Sequence, residues 1–264
     1  MISPIEITRK KQEMRNNLKV VIPARYNSSR FPGKVLTDIN GKTMLHHVYE
    51  RVCESSAKEV IIATDDGRVR DHAVMIGADV EMTFGHHATG TDRIMEVARI
   101  RKWEPNTFIV NVQGDSPLIS PHSIDQVADM LFMYDAPMAT LATKITDEQE
   151  LYNRNIVKVV WDNQGNALYF SRSPIPDQSG NHYERPWAWR HLGIYGYMLS
   201  GLEKITSTGP SQLESIEKLE QLRALGMGIN IKVGVASNPH GTDVDVPEDV
   251  DKVENIMTYG ASER

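Results

Sequence analysis

The apolar positions of the chain fall into two kinds of pattern, which predict alternating strands and helices. Short continuous apolar runs are typical of buried strands. Four such runs cover residues 18–24, 59–64, 78–82 and 108–112. Apolar residues three and four positions apart, as from Met44 to Cys53, predict amphipathic helices between them. This alternation indicates an α/β fold, with a Rossmann-like, mostly parallel sheet and helices on both faces.

The second half of the chain has a less regular pattern and is expected to be a mixed α+β part. Strands are predicted over 136–144, 156–161, 167–171 and 229–236, the middle two joined as a hairpin. Leucine and isoleucine positions from Leu213 to Leu225 predict one side of a single helix. The glutamates of that segment, Glu214, Glu217 and Glu220, then fall on a solvated face. Pro247 is expected to open the last helix.

The composition narrows the possible function classes. The 264 residues are 40% hydrophobic, as in an ordinary globular protein, and the formal net charge is −6. A net negative charge argues against nucleic-acid binding, which depends on phosphate contacts. No stretch approaches the length of a membrane span. Residues 1–17 contain basic residues without an apolar run after them, so we expect a flexible tail and no secretory signal.

Cys53 is the only cysteine, which excludes an internal disulfide and a multi-cysteine metal site. A lone cysteine is compatible with a reducing compartment such as the cytoplasm. We expect it to be buried as a small hydrophobic residue.

The segment that follows the first strand has the composition of an anion-binding loop. It carries Arg25, Arg30 and Lys34 without an acidic residue among them. Ligands in parallel sheets bind at the carboxyl ends of strands, where such a loop lies. A solvated surface loop is the alternative. Gly41-Lys42-Thr43 is not a P-loop, because Leu36 stands where the motif needs glycine. The first strand is also followed by no glycine-rich dinucleotide motif, which argues against a nicotinamide oxidoreductase.

Two aspartates are candidates for a metal site that faces this loop. Asp115 follows the most apolar strand, and Asp245 follows the late strand. A carboxylate about 4 Å from a phosphate oxygen is repelled by roughly 4 kcal/mol at an effective dielectric constant near 20. Two carboxylates beside phosphates therefore favour a bound Mg²⁺. The alternative is that both aspartates only form turns or helix caps.

Other candidates lie in the second half of the chain. The histidines show no metal-ligand spacing. His191 belongs to an aromatic, glycine-containing strand that could be a ligand wall or ordinary core. Arg172 could bind an anionic substrate or form an exposed ion pair.

These residues resemble the sugar nucleotidyltransferases, and within them the 3-deoxy-D-manno-octulosonate cytidylyltransferase (CMP-Kdo synthetase) family. The similarity runs in order from about residue 18 to 258. The matching stretches are Ile22–Tyr26, Arg30–Lys34, Ala63–Asp66, Gly90–Arg93, Val110–Asp115, Tyr169–Arg172, Arg190–Tyr197, Leu219–Arg223 and Asp245–Asp249.

The resemblance implies a single nucleotidyltransferase domain over 18–264, with a sugar-binding and homodimer part over roughly 137–236. It implies a reaction in which CTP and an acidic 3-deoxy sugar, Kdo, give CMP-Kdo and pyrophosphate with Mg²⁺. The sugar's anomeric hydroxyl would attack the α-phosphorus in line, so catalysis would rest on positioning and charge neutralisation. The product would serve lipopolysaccharide or capsule synthesis in the cytoplasm.

The resemblance also assigns roles to individual residues. Arg25, Lys34 and Asp115 are the implied catalytic residues, and Asp115 and Asp245 are the implied metal ligands. The implied nucleotide-binding residues are Ala24, Arg25, Ser28, Arg30, Lys34, Thr64, Asp65, Gly90, Thr91, Arg93 and Gln113. The implied sugar-binding residues are Arg172, His191, Tyr195, Glu220 and Gln221.

The chain departs from the family pattern at three places. Ser116 stands where the family has a glutamate, Met198 stands where it has an arginine, and the segment 176–189 is altered. These changes concern the substrate more than the chemistry. The alternatives are the same reaction on another 3-deoxy-2-ketosugar acid, such as amino-Kdo or a sialic acid, and a non-catalytic nucleotide-binding paralog.

Overall fold

The structure, a computed structural model, describes residues 11–28, 31–85, 87, 89–177, 187–238, 241 and 243–259. The strands are β1 (Leu18–Pro23), β2 (Asp38–Ile39), β3 (Lys42–Thr43), β4 (Glu59–Thr64), β5 (Asp79–Met82), β6 (Phe108–Asn111), β7 (Met138–Lys144), β8 (Lys158–Trp161), β9 (Ala167–Ser171), β10 (Trp189–Met198) and β11 (Ile231–Val235). The helices are α1, described over 11–16, α2 (Met44–Cys53), α3 (Gly67–Met75), α4 (Gly90–Ile100), α5 (Pro121–Tyr134), α6 (Glu148–Tyr152), α7 (Leu199–Thr206), α8 (Gln212–Glu217), α9 (Gln221–Gly226) and α10 (Glu248–Tyr259).

A nine-stranded sheet forms the centre of the molecule. Seven of its strands lie in the order β11-β7-β10-β6-β1-β4-β5, and the β8–β9 hairpin joins through β10. β1 pairs in parallel with β4 and β6, whereas β10 is antiparallel to β6 and β7. The predicted parallel first half and mixed second half are thus confirmed.

Helices cover both faces of this sheet, as predicted, because its central strands are apolar on both sides. All six residues of β1 are buried. Val20 and Ile22 pack with apolar residues of α2, α3 and α5 on one face. Val21 packs with those of α4, α7 and α9 on the other face. A strand buried on both sides reads as a continuous apolar run, which is why the sequence located it.

Two predictions need correction, the flexible tail over residues 1–17 and the burial of Cys53. Residues 11–16 are helical, and Met14 packs into the main core with only 3% of its surface exposed. Lys11 also pairs with Asp129 of α5. Residues 1–10, the rest of the predicted tail, lie outside the described part of the chain. Cys53 is exposed rather than buried, because it ends α2 on the side away from the sheet.

The single helix predicted from Leu213 to Leu225 is wrong. Lys218 has a left-handed backbone (φ 56°) that separates α8 from α9. Leu213 and Ile216 face solvent, whereas Leu222 is in the core. The glutamates therefore do not share a solvated face.

Each of the three glutamates has a different environment instead. Glu214 is buried and its carboxylate pairs with Arg223 at 2.7 Å. Glu217 accepts hydrogen bonds from the Ser171 hydroxyl (2.6 Å) and the Arg172 amide (3.0 Å). Burial raises the pKa of the Glu220 carboxyl, so this side chain is also withdrawn from water.

Among the described residues, no helix has the length and apolar character required to cross a membrane.

Candidate active site

The candidate site is a crevice at the carboxyl ends of β1 and β6. The chain leaves β1 towards β4 on one side and returns to β6 on the other, so the strand order reverses between them. Such a reversal opens a ligand crevice. Gly114 brings the two following loops together, because a Cβ there would lie 3.1 Å from the Pro23 carbonyl oxygen. Ala24 is buried beneath them and donates its amide to the Ala63 carbonyl (2.8 Å).

Tyr26 organises the loop after β1. Its carbonyl accepts the amides of Ser28 (3.1 Å) and Gly33 (2.8 Å). Gly33 has φ 75°, and a Cβ there would lie 3.2 Å from the Tyr26 ring. The Arg68 guanidinium lies 3.3 Å from the centre of that ring, a cation–π contact. These contacts hold Tyr26, Ser28 and Gly33 in place relative to one another. Arg30 lies outside the described residues.

Lys34 is a buried cation of this loop. Only 7% of its surface is exposed, and its Nζ lies 2.5 Å from Asp115 Oδ2. The same Nζ donates to the Val244 carbonyl at 2.9 Å. Lys34 therefore connects the loop after β1 to the segments after β6 and β11.

Three aspartates come together beside Lys34. The Val244 amide donates to the Asp115 carbonyl at 3.0 Å, which brings Asp243 and Asp245 beside Asp115. Burial raises the pKa of the Asp115 carboxyl, and the charges of Asp243 and Asp245 raise it further against the effect of Lys34. This concentration of negative charge is the environment that a hard cation relieves.

The site fits a metal that is shared with the substrate. In the described residues, no group of three or more His, Cys, Asp or Glu side chains could hold a metal ion by themselves. Asp115 and Asp245 would thus be protein ligands, and phosphate oxygens would supply others, as is usual for Mg²⁺.

The wall on the β4 side contains the other candidate nucleotide residues. Arg93 is fully buried, and its Nη2 lies 3.2 Å from Asp65 Oδ2. Burial lowers the pKa of the Arg93 guanidinium, and Asp65 opposes that effect. The hydroxyl of Thr64, which ends β4, accepts the Asp66 amide (3.2 Å). Asp66 in turn caps α3 through the Arg68 amide.

The amino end of α4 reaches the same crevice. Gly90, the first residue of α4, lies close to the Pro23 ring. A Cβ built at Gly90 would lie 3.6 Å from Pro23 Cγ. The next residue, Thr91, has its hydroxyl 3.4 Å from the Tyr197 hydroxyl of β10. Gln113, after β6, donates to the Asn111 side chain at 3.4 Å. The structure therefore gathers the described nucleotide candidates around one crevice.

The candidate sugar residues form a separate wall on β10, α9 and β9. Glu220 and Gln221 line a small cavity with Tyr195 and Tyr197. Burial raises the pKa of both tyrosines, so they stay protonated. Within the described residues, Glu220 Oε1 and Gln221 Nε2 are buried without a hydrogen-bond partner. Buried polar atoms of this kind are expected to meet a ligand or water.

His191 and Arg172 are more firmly engaged. The Thr140 hydroxyl donates to the Ile194 carbonyl (2.7 Å), so His191 Nε2 donates to the Thr140 oxygen (2.9 Å). The Arg172 guanidinium donates to the carbonyls of Glu217 (2.9 Å) and Arg154 (3.0 Å). With no carboxylate of the described residues does Arg172 form the exposed ion pair that was the alternative to anion binding.

Sequence reasoning did not find several supporting residues. Lys158 is fully buried, and its Nζ donates to the carbonyls of Asn153 (3.0 Å), Ile156 (2.6 Å) and Arg172 (2.8 Å). The Ser116 hydroxyl donates to Asp243 Oδ1 at 2.5 Å. A lysine in an otherwise apolar strand was a usable signal for Lys158, whereas nothing local pointed to Asp243.

Comparison with known proteins agrees with this geometry. A family model described as cytidylyltransferase matches residues 19–231. The 3-deoxy-manno-octulosonate cytidylyltransferase of Tolumonas auensis is 49% identical over 250 residues, which cover 93% of this chain and 98% of the relative. The enzyme of the same name from Marinobacter nauticus is 46% identical over 255 residues, covering 92% and 98%.

Two solved structures are similar as well. CMP:2-keto-3-deoxy-manno-octonic acid synthetase complexed with CTP matches with a TM-score of 0.85 and 38% identity, over 92% of this chain and 99% of that one. A cytidylyltransferase from Leptospira borgpetersenii shares the fold, with a TM-score of 0.61 at 18% identity over 92% and 87% of the two chains. The chain therefore belongs to the cytidylyltransferase family and is a nucleotidyltransferase.

Proposed function

We propose that the protein transfers CMP from CTP to the anomeric hydroxyl of Kdo, with Mg²⁺, and releases pyrophosphate. The observation that carries this proposal is the Lys34–Asp115 pair beside Asp243 and Asp245. This pair brings an ammonium group and carboxylates together at the carboxyl ends of β1 and β6. The relatives named for this activity and the similar CTP-complexed structure support the choice of substrates.

The cationic side chains bind and orient the triphosphate. Arg25 and Lys34 lie on the loop after β1 and would neutralise the phosphates that leave as pyrophosphate. A bound Mg²⁺, held by Asp115 and Asp245, would supply further neutralisation of phosphate charge. Lys34 then exchanges part of its interaction with Asp115 for a phosphate oxygen.

The sugar acid would bind on the wall of β10 and α9. Glu220 and Gln221 offer an unpartnered acceptor and donor to sugar hydroxyls. Arg172 and His191 lie at the same wall, where their cationic or donor groups suit a carboxylate. Tyr195 lines the cavity together with Glu220 and Gln221. In this proposal the sugar hydroxyl would approach the α-phosphorus from the side opposite the cationic loop, as in-line attack requires.

A second candidate substrate is an amino-Kdo. Ser116 replaces the family's glutamate and donates to Asp243, whose Oδ2 lies 4.0 Å from a Cβ built at Gly193 of β10. The Asp243 carboxylate therefore lies close to β10, the strand of the proposed sugar wall. A carboxylate there would pair with an ammonium group on the sugar.

Two surface features bear on the oligomeric state and the cellular compartment. The part over 137–236 carries exposed apolar side chains, among them Leu168, Trp187 and Ile216, which supports a homodimer contact there. A free, exposed Cys53 agrees with the reducing cytoplasm. The product would then supply lipopolysaccharide or capsule synthesis.

Pyrophosphate release by the purified protein tests the function. CTP and UTP should each be combined with Kdo, an amino-Kdo and a sialic acid, with and without Mg²⁺. We expect release with CTP, Kdo and Mg²⁺ together. Release only with amino-Kdo or a sialic acid would replace the substrate, and no release with any combination would favour a non-catalytic nucleotide-binding protein.

A further inference from the structure

Glu96 fixes the chain that connects β5 to α4. Its carboxylate accepts the Phe84 amide at 3.2 and 3.0 Å through its two oxygens. Its Oε2 also pairs with Nε2 of His87. Both side chains of this pair are largely buried, with 13% of Glu96 and 19% of His87 exposed. One carboxylate on α4 thus holds the connection at two points.

This connection reaches the loop after β1 through the main chain of His87. Arg25 Nη2 donates to the His87 carbonyl at 2.8 Å. This one hydrogen bond holds one edge of the guanidinium at the His87 carbonyl and leaves the other N–H donors for a ligand. The side chain of His87 anchors the residue, and its carbonyl orients Arg25.

The charges around Arg25 leave its cation available to an anion. Arg25 forms no ion pair with a carboxylate of the described chain. Arg93, buried nearby, has its own carboxylate partner in Asp65. Burial lowers the pKa of the Arg93 guanidinium, and the charge of Arg25 lowers it further. The His87 carbonyl is an uncharged acceptor, so it holds Arg25 without neutralising its charge.

We propose that Glu96 and His87 are positioning residues of the triphosphate site, which act by holding the Arg25 guanidinium at the His87 carbonyl. Neither residue needs to touch a substrate. This inference rests on the proposed function, because it takes Arg25 as a phosphate-binding group.

The effect should be confined to phosphate recognition. The probe is inorganic tripolyphosphate, used as a competitor of CTP, with CMP as a competitor that lacks the outer phosphates. In Glu96→Ala, the KM for CTP and the inhibition constant of tripolyphosphate should rise roughly tenfold, since a misplaced positioning group costs at least that much. The inhibition constant of CMP and the KM for the sugar acid should change less than about twofold.

Two further variants keep the test decisive. Glu96→Gln retains an oxygen for the Phe84 amide and should show a smaller rise than Glu96→Ala. Asp79→Asn is the matched control, because it breaks the Arg101–Asp79 ion pair (2.8 Å) on β5 without contact to Arg25. It should leave all four constants unchanged.

A double mutant separates positioning from general loosening. If Glu96 acts through Arg25, then Arg25→Gln with Glu96→Ala binds tripolyphosphate no worse than Arg25→Gln alone. Additive losses, or equal losses for CMP and tripolyphosphate, would overturn the inference. If Arg25→Gln itself leaves tripolyphosphate binding unchanged, the phosphate role of Arg25 in the proposed function fails instead.

Discussion

The two walls of the crevice are stabilised differently. On the proposed nucleotide wall, Lys34 pairs with Asp115 beside further carboxylates, and Arg25 donates to the His87 carbonyl without an ion pair to any described carboxylate. On the sugar wall, the cations Lys158 and Arg172 are engaged with main-chain carbonyls. On the first wall, Arg25 keeps donors that a ligand can accept. On the second wall, Lys158 and Arg172 use their donors to hold the main chain. Substitutions of cations should therefore reduce catalysis on one wall and stability or sugar binding on the other.

Lys34→Met should give the largest effect on activity. Without Lys34, the triphosphate loses a buried cation, and Asp115 keeps its charge without the partner. We expect kcat/KM to fall by about 10²–10³, the range for loss of one preorganised charge-stabilising group. Initial rates of pyrophosphate release measure this.

Lys42→Met is the control for that variant, because Lys42 pairs with Glu50 at the surface. Its rate should match the wild type. A Lys34→Met enzyme with more than a third of wild-type kcat/KM would mean that the Lys34–Asp115 pair is only structural.

Lys158→Met should give the largest loss of stability. The change leaves three partly buried carbonyls without the ammonium that donates to them. Each unsatisfied buried group costs about 1–3 kcal/mol, partly recovered by relaxation, so we expect the free energy of unfolding to fall by about 2–4 kcal/mol. Urea denaturation followed by circular dichroism measures it, with Lys11→Met as the surface control. A loss below about 0.5 kcal/mol would contradict the structural role.

Arg172→Ala should affect the sugar more than the nucleotide. The guanidinium donates to the carbonyls of Glu217 and Lys218, which shortly precede Glu220 and Gln221 in the chain. It therefore lies at the proposed sugar wall. We expect the KM for the sugar acid to rise about tenfold, or ~1.4 kcal/mol, with the KM for CTP within about twofold. Steady-state kinetics with each substrate varied in turn decide this. An equal rise in both constants would show that the two walls are not independent.

The pH dependence of stability should show a smaller effect from Lys158. Burial lowers the pKa of its ammonium from 10.5 to about 8. Between these values the unfolded chain binds the proton and the folded chain does not, so the folded state gains stability as pH rises. The stability of the wild type relative to Lys158→Met should therefore rise by about 1–2 kcal/mol from pH 8 to 10. Urea titrations at both pH values test the sign, and a fall would contradict it.

The sequence located the elements whose physical signal is local. β1 is a continuous apolar run, and α2 shows helical spacing, so both were predicted close to their observed bounds. The helix at 213–225 was predicted wrongly because its leucine spacing continues through a left-handed residue, Lys218, that spacing cannot reveal. Cys53 was misplaced because its exposure depends on how α2 faces the sheet.

The candidate site was predictable in its charged residues and not in its partners. Arg25, Lys34 and Asp115 stand beside strand ends, which is a signal within the sequence. The contacts of Lys34 with Val244 and of Arg25 with His87 join segments far apart in the chain. Only the order of strands in the sheet brings those segments together, and that order is a tertiary property.

In the proposed reaction, a sugar hydroxyl attacks the α-phosphorus of CTP in this crevice. The most direct test is phosphorus NMR of a reaction that contains the protein, CTP, Kdo and Mg²⁺. We expect equal amounts of pyrophosphate and a CMP-sugar phosphodiester, each equal to the CTP consumed. Formation of CDP with inorganic phosphate, or of pyrophosphate with free CMP from the start, would contradict it.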